Sequence, residues 1–182
     1  MTRLEELLLV RSVRRGAFVL ASGQRSSYYI DCRLTTMSAE GMVLIGRAGL
    51  ASIREAGWAA TAVGGLTLGA DPVAYAIAAA SFGSEQQLDA FTVRRAAKEH
   101  GTRRLIEGNF TSGASVVVVE DVITSGGSAR QAIEAVQAEG GRVAGVLAVV
   151  DREQGGRQML EAAGYAVRSL TTASALGLGD TG

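Results

Sequence analysis

The chain has 182 residues, 47% of them hydrophobic, enough to bury the core of one domain and too short for several. Its 18 Lys and Arg balance its 18 Asp and Glu, so the overall charge points to neither a nucleic acid nor a membrane surface as partner. A single cysteine, Cys32, excludes an internal disulfide and a cysteine metal cluster. It fits a reducing, cytoplasmic setting and reads as a small half-buried hydrophobe.

Met1 to Val13 lacks the long apolar run of a signal peptide. Leu4 to Arg15 places apolar residues at helical spacing, and Phe18 to Leu20 and Tyr28 to Ile30 read as short extended pieces around the turn Ser22-Gly23-Gln24. Ser38 is positioned to N-cap a helix running to about Ala56, closed by Gly57. The period then changes. Ala59 to Val63, Leu88 to Val93, Val116 to Val119 and Val143 to Val150 are short apolar runs rich in β-branched residues, with helical patterns between most of them. Continuous apolarity means strands covered on both faces, hence a parallel sheet in an α/β fold whose ligands bind at the carboxyl ends of the strands. The long low-charge stretch from Trp58 to Phe82 is interrupted by Gly64-Gly65, Gly69 and Asp71-Pro72 and cannot be one membrane helix. Thr171 to Gly182 carries no readable pattern.

Chemistry concentrates after the four valines. Glu120 and Asp121 are expected at the strand tip, and Val122-Ile123-Thr124-Ser125-Gly126-Gly127-Ser128 leads from them into a helical pattern, Ala129 to Ala138. The turn offers unblocked backbone N–H groups, the hydroxyls of Thr124, Ser125 and Ser128, and the positive end of a helix dipole, a combination suited to a phosphate dianion. Adjacent carboxylates can accept hydrogen bonds from the two hydroxyls of a ribose. No lysine follows the glycines, so this is not a triphosphate P-loop, and the glycine spacing is not that of a dinucleotide fold.

The segment Val116 to Ser128 resembles the phosphoribosyl pyrophosphate motif of the type I phosphoribosyltransferases. A second stretch, Val93-Arg94-Arg95-Ala96-Ala97-Lys98-Glu99-His100-Gly101, resembles the basic active-site loop of the orotate phosphoribosyltransferases, which closes over a neighbouring subunit's site. Tyr28 and Tyr29, in Ser27-Tyr28-Tyr29-Ile30-Asp31, resemble the aromatic pair near orotate in that family. Gly64 to Pro72 resembles its pyrophosphate loop, and Asp151-Arg152 the place where an arginine pairs with the orotate carboxylate.

The resemblance implies a single type I phosphoribosyltransferase domain, a mainly parallel sheet flanked by helices, with residues 1–36 as a small N-terminal hood and 94–108 as a mobile loop. It further implies a homodimer, transfer of the 5-phosphoribosyl group to orotate in pyrimidine biosynthesis, and Mg²⁺ carried by the phosphoribosyl pyrophosphate with no direct protein ligand. Lys98, His100 and Asp121 are the implied catalytic residues. Arg94, Arg95, Lys98, His100 and Glu120 through Ser128 would hold phosphoribosyl pyrophosphate, and Thr124, Arg152, Tyr28 and Tyr29 would hold orotate. Many family members carry a lysine where Ala21 stands and another near Leu68, and this chain has neither, which leaves the pyrophosphate to Arg94, Arg95, Lys98 and His100. Three other readings stay open: a phosphoribosyltransferase for another base, a regulator that binds phosphoribosyl pyrophosphate without chemistry, and a degenerate structural subunit.

Overall fold

The structure, a computed structural model, describes residues 1–19, 25–96 and 105–179. Helix α1 (Arg3–Arg11) starts in a capping box: the Thr2 hydroxyl accepts from the Glu5 N–H at 3.3 Å while the Glu5 carboxylate accepts from the Thr2 N–H at 2.6 Å. It stops four residues short of the expected Arg15. Residues from Val13 onward pair instead with the strand that carries the tyrosines, making a two-stranded antiparallel sheet of β1 (Val13–Val19) and β2 (Arg25–Ile30). The turn expected at Ser22 to Gln24 lies outside the described residues. A short helix α2 (Arg33–Thr36) then leads to α3 (Ala39–Glu55), which Ser38 caps as its spacing predicts, accepting from the Gly41 N–H at 3.1 Å.

The remaining elements are β3 (Ala62–Leu66), α4 (Ala70–Ser81), β4 (Asp89–Val93), β5 (Ile106–Gly108), β6 (Ser115–Ile123), α5 (Gly127–Ala138), β7 (Arg142–Asp151), α6 (Gly156–Ala162) and β8 (Val167–Thr172). The large sheet runs β5-β4-β3-β6-β7-β8, parallel throughout except for the antiparallel edge strand β5. The α/β expectation holds, and the four valines show why. Val117 and Val119 enter the core under α1, α3 and α4, while Val116 and Val118 enter the one under α5. A strand buried on both faces needs apolar residues at every position.

Further expectations need correction. The strand expected at Ala59 to Val63 begins three residues later and runs through Gly64-Gly65, because those glycines do not break it but let it pack. A Cβ at Gly65 would strike the carbonyl oxygen of Val119 on the neighbouring strand, and one at Gly64 the backbone and ring of Phe91. The strand expected to end at Val119 continues to Ile123, paired with β7 as far as Ile123 opposite Asp151, so the two acids lie within a strand. Ile106–Gly108 form β5, so the 94–108 segment ends in the sheet. The chain after Thr171 also finishes β8 and sends Leu176 and Leu178 into the core.

The chain winds outward in opposite directions from β3 and β6, through β4 on one side and through β7 and β8 on the other. A crevice opens at such a switch point beyond the carboxyl ends of the two strands. Gly65→Ala should destabilise the fold by about 1–3 kcal/mol through overpacking against β6, a loss readable as a lower urea midpoint at unchanged slope.

Candidate active site

Beyond the ends of β3 and β6 lies a cavity of ≈ 390 Å³. A larger hollow of ≈ 600 Å³ among Trp58, Thr61 and Gln86, at the opposite end of β3, has neither paired acids nor a helix start. The cavity's floor is β6. Glu120 is almost fully buried, with the Ser128 hydroxyl and the Ala129 N–H near enough to favour its charged form, while Oε2 has no hydrogen-bond partner. Burial first, and the neighbouring Asp121 charge second, push the Glu120 carboxyl up to about 7 against these two donors. Asp121 is raised in the same direction, chiefly by burial, and is opposed by the N–H of Val122, which donates to Oδ1 at 2.9 Å, and by the charge of Arg33.

The cradle forms because Gly126 adopts a left-handed conformation (φ 78°) that turns β6 into α5, and because its Cα lies against Met159 and Gly156. The first turn of α5 therefore presents its N–H groups beside Ser125 and Gly127, both exposed. The Thr124 carbonyl is occupied by the Gly156 N–H at 3.0 Å.

The second wall is the turn from β3 to α4, where the Thr67–Leu68 peptide is cis. Buried Asp71 anchors it, accepting from the Thr67 hydroxyl at 2.7 Å and from the Thr92 hydroxyl at 2.9 Å. Thr92 thus spends its proton on Asp71, so Tyr75 donates to Thr92 across 3.0 Å. The Thr67 N–H donates to the Val93 carbonyl at 2.8 Å. These bonds press Gly69 onto the Asp121 carboxylate, where any side chain would collide.

The third wall comes from β2 and the end of β7. The Arg152 guanidinium is buried, stacks 4.7 Å above the centroid of the Tyr28 ring, and donates from Nη2 to the Ser26 hydroxyl at 3.2 Å, with Nε unpartnered. A buried guanidinium with a spare donor is suited to an anionic, planar ligand such as a carboxylate.

The structure brings Arg95, Glu120, Asp121, Val122, Thr124, Ser128, Tyr29 and Arg152 onto this one cavity. Others stand apart. Tyr28 faces the core beneath Arg152, Ile123 is wholly buried while its carbonyl accepts from the Arg152 N–H at 2.9 Å, and Arg94 pairs with Glu107 at 2.8 Å. Lys98 and His100 lie outside the described residues. Residue spacing did not anticipate Asp31 and Arg33, which line the cavity because α2 folds back beneath Leu68. Nor did it anticipate Asp71 as the anchor of the second wall. Among the described residues no group of three or more His, Cys, Asp and Glu could hold a metal ion. The oxygen-rich lining and the unpartnered Glu120 Oε2 fit a hard cation such as Mg²⁺ that takes most of its ligands from phosphate and water.

A helix start behind the adjacent acids Glu120 and Asp121, at the switch point of a parallel sheet, defines a type I phosphoribosyltransferase fold. No family model matches the chain. It is 45% identical over 176 residues to the orotate phosphoribosyltransferase of Rhodopirellula baltica, covering 94% of this chain and 91% of that one. It is 47% identical over 179 residues to that of Mycobacterium tuberculosis, covering 98% and 94%. The crystal structure of the M. tuberculosis enzyme in complex with 5-phospho-α-D-ribosyl 1-diphosphate superposes with a TM-score of 0.81 at 42% identity, over 96% of this chain and 97% of that one. The chain belongs to the orotate phosphoribosyltransferase family.

The Glu120 carboxyl titrates near 7 in the fold and near 4.5 when unfolded, so the folded state holds the extra proton between those values. Stability attached to this group is full below about pH 4.5 and lost as pH rises through about 7. Glu120→Gln keeps an acceptor for Ser128 and Ala129 without the charge. Its unfolding free energy relative to wild type should climb by on the order of 3 kcal/mol between pH 4.5 and 8. Urea titrations across that range check this, and a pH-independent difference would contradict it.

Proposed function

We propose that the chain transfers the 5-phosphoribosyl group from phosphoribosyl pyrophosphate to N1 of orotate, releasing pyrophosphate and orotidine 5′-monophosphate. The observation that carries this reading is the convergence, on one cavity, of the acid pair with its helix start and of the Arg152 guanidinium stacked on Tyr28. The 5′-phosphate takes the N–H groups and hydroxyls of Thr124 to Ser128, and the ribose diol donates to Glu120 and Asp121. Orotate is planar and carries a carboxylate, which Arg152 can grip while Tyr29 borders the ring.

Bond breaking at C1′ develops positive charge on the ribose ring, and the Asp121 carboxylate below it stabilises that charge. No protein nucleophile is required, because Arg152 and the cradle hold orotate N1 and C1′ in line, and positioning supplies the rate. Mg²⁺, held near Glu120 and Asp121 mainly through substrate oxygens, would neutralise charge on the leaving pyrophosphate. Lys98 and His100 meet that group as it departs, and closure of their segment excludes water.

The enzyme acts as a homodimer in the cytoplasm, with the part of the 94–108 segment that carries Lys98 and His100 serving the neighbouring site. Solvent-facing Leu34, Met37 and Leu68, grouped beside the cavity mouth, support an apolar partner surface there. The described chain has no helix long and apolar enough to cross a membrane.

Purified protein should release pyrophosphate only when orotate, phosphoribosyl pyrophosphate and magnesium are all present. Release with adenine or another base in place of orotate would sink the choice of base. Lys98→Ala should lower kcat by about a hundredfold or more at unchanged melting temperature. Mixing inactive Lys98→Ala and Asp121→Asn subunits under exchange should restore part of the activity, and no recovery would argue against a shared site.

A further inference from the structure

Three acids, Asp31, Glu120 and Asp121, and three arginines, Arg33, Arg95 and Arg152, line the cavity together. Arg152 is committed to Tyr28 and Ser26, deep on the side of β2. The Thr67 to Gly69 wall, opposite the α5 cradle, contains no cationic side chain. Arg33 is the arginine common to both hollows beside this wall: it lines the cavity with Leu68, Gly69, Asp121 and Arg95, and it borders the adjoining hollow with Leu68, Met37 and Arg11.

Its orientation is set. Arg33 Nε donates to Asp31 Oδ1 at 2.8 Å and Nη2 to Oδ2 at 3.0 Å, while the Arg33 backbone N–H also donates to Oδ1 at 3.2 Å. A bidentate pair of this kind fixes the plane of the guanidinium. Two of its five N–H donors are used on Asp31, which leaves a second edge for another anion. The pair is half exposed, and as a bare surface salt bridge it would add little to stability. Asp121 also senses the Arg33 charge, which lowers its pKa, so the arginine acts across the cavity as well as along its own turn.

We infer that Arg33, oriented by Asp31, is a pyrophosphate-binding residue that supplies the Leu68–Gly69 wall with the cation it lacks. The inference rests on the phosphoribosyl reading of the cavity. Arg33 touches the leaving group, and Asp31 acts through Arg33 as a positioning residue.

Titration calorimetry with magnesium pyrophosphate and, separately, with ribose 5-phosphate tests this on the whole protein, whether or not it turns over. Arg33→Met should weaken pyrophosphate binding by about tenfold or more and leave ribose 5-phosphate within about twofold. Arg33→Lys should fall between. In steady state, KM for phosphoribosyl pyrophosphate should rise with the pyrophosphate inhibition constant, while KM for orotate and the melting temperature hold. Equal pyrophosphate affinity in wild type and Arg33→Met would overturn the inference. So would a parallel loss of both ligands with a lowered melting temperature, the signature of a structural role. A wild type without orotate-dependent turnover, whose pyrophosphate affinity still depends on Arg33, would overturn the catalytic reading and keep this assignment.

Discussion

Glu120 sits where water scarcely reaches it, yet it lines the cavity. Burial penalises its charge and pushes the carboxyl up to about 7, and the Ser128 hydroxyl and the Ala129 N–H, both in the first turn of α5, offset only part of that penalty. The strand that carries the acid and the helix that solvates it therefore have to meet at a fixed angle. Gly126 in its left-handed conformation makes that turn, and the backbone of Gly156 leaves room for it. The helix start and the surroundings of the acid are one piece of structure. A change that moved α5 to improve one would degrade the other.

The same constraint spreads along β6. Because the strand does not end at Val119, its ladder with β7 continues to Ile123 and Asp151, and Arg152 is delivered to the cavity one residue further on. On the other side, Gly69 rests on the Asp121 carboxylate and is kept there by Asp71, with Thr67 and Thr92 as donors. Three separate chain segments are referred to one pair of carboxylates. A pair of desolvated acids needs this many fixed dipoles around it.

Much of this was legible in the sequence, for identifiable reasons. Four consecutive valines could only be a strand buried on both faces, and Ser38 with Gly57 bracketed α3 almost to the residue. The Glu120 to Ser128 segment disclosed its chemistry because acids, hydroxyls and glycines there are contiguous. What stayed hidden depends on contacts between distant segments. Gly64 and Gly65 read as a break, and only the approach of Phe91 and Val119 explains why a strand needs glycine there. β8, with partly exposed Arg168 and Ser169 on an edge, lacks the apolar run that marked the inner strands. Arg33 belongs to no pattern at all. It enters the site because a four-residue helix turns the chain back under Leu68, a direction that neither propensity nor periodicity encodes.

The two sheets divide the work in the proposed reaction. The acid pair and the α5 helix start, proposed to meet ribose and its 5′-phosphate, hang from the large parallel sheet, whose core leaves little freedom to vary. The base-side arginine also leaves that sheet, at the end of β7, but its aim is set by Tyr28 and Ser26 on the small β1–β2 sheet. Arg152 thus joins a rigid half to a half held by fewer strands. Ser26 and Tyr28 therefore set the direction of the guanidinium from outside the strand that carries the acid pair. In the proposed reaction the large sheet carries the group transferred, and the small sheet orients the arginine that meets its acceptor.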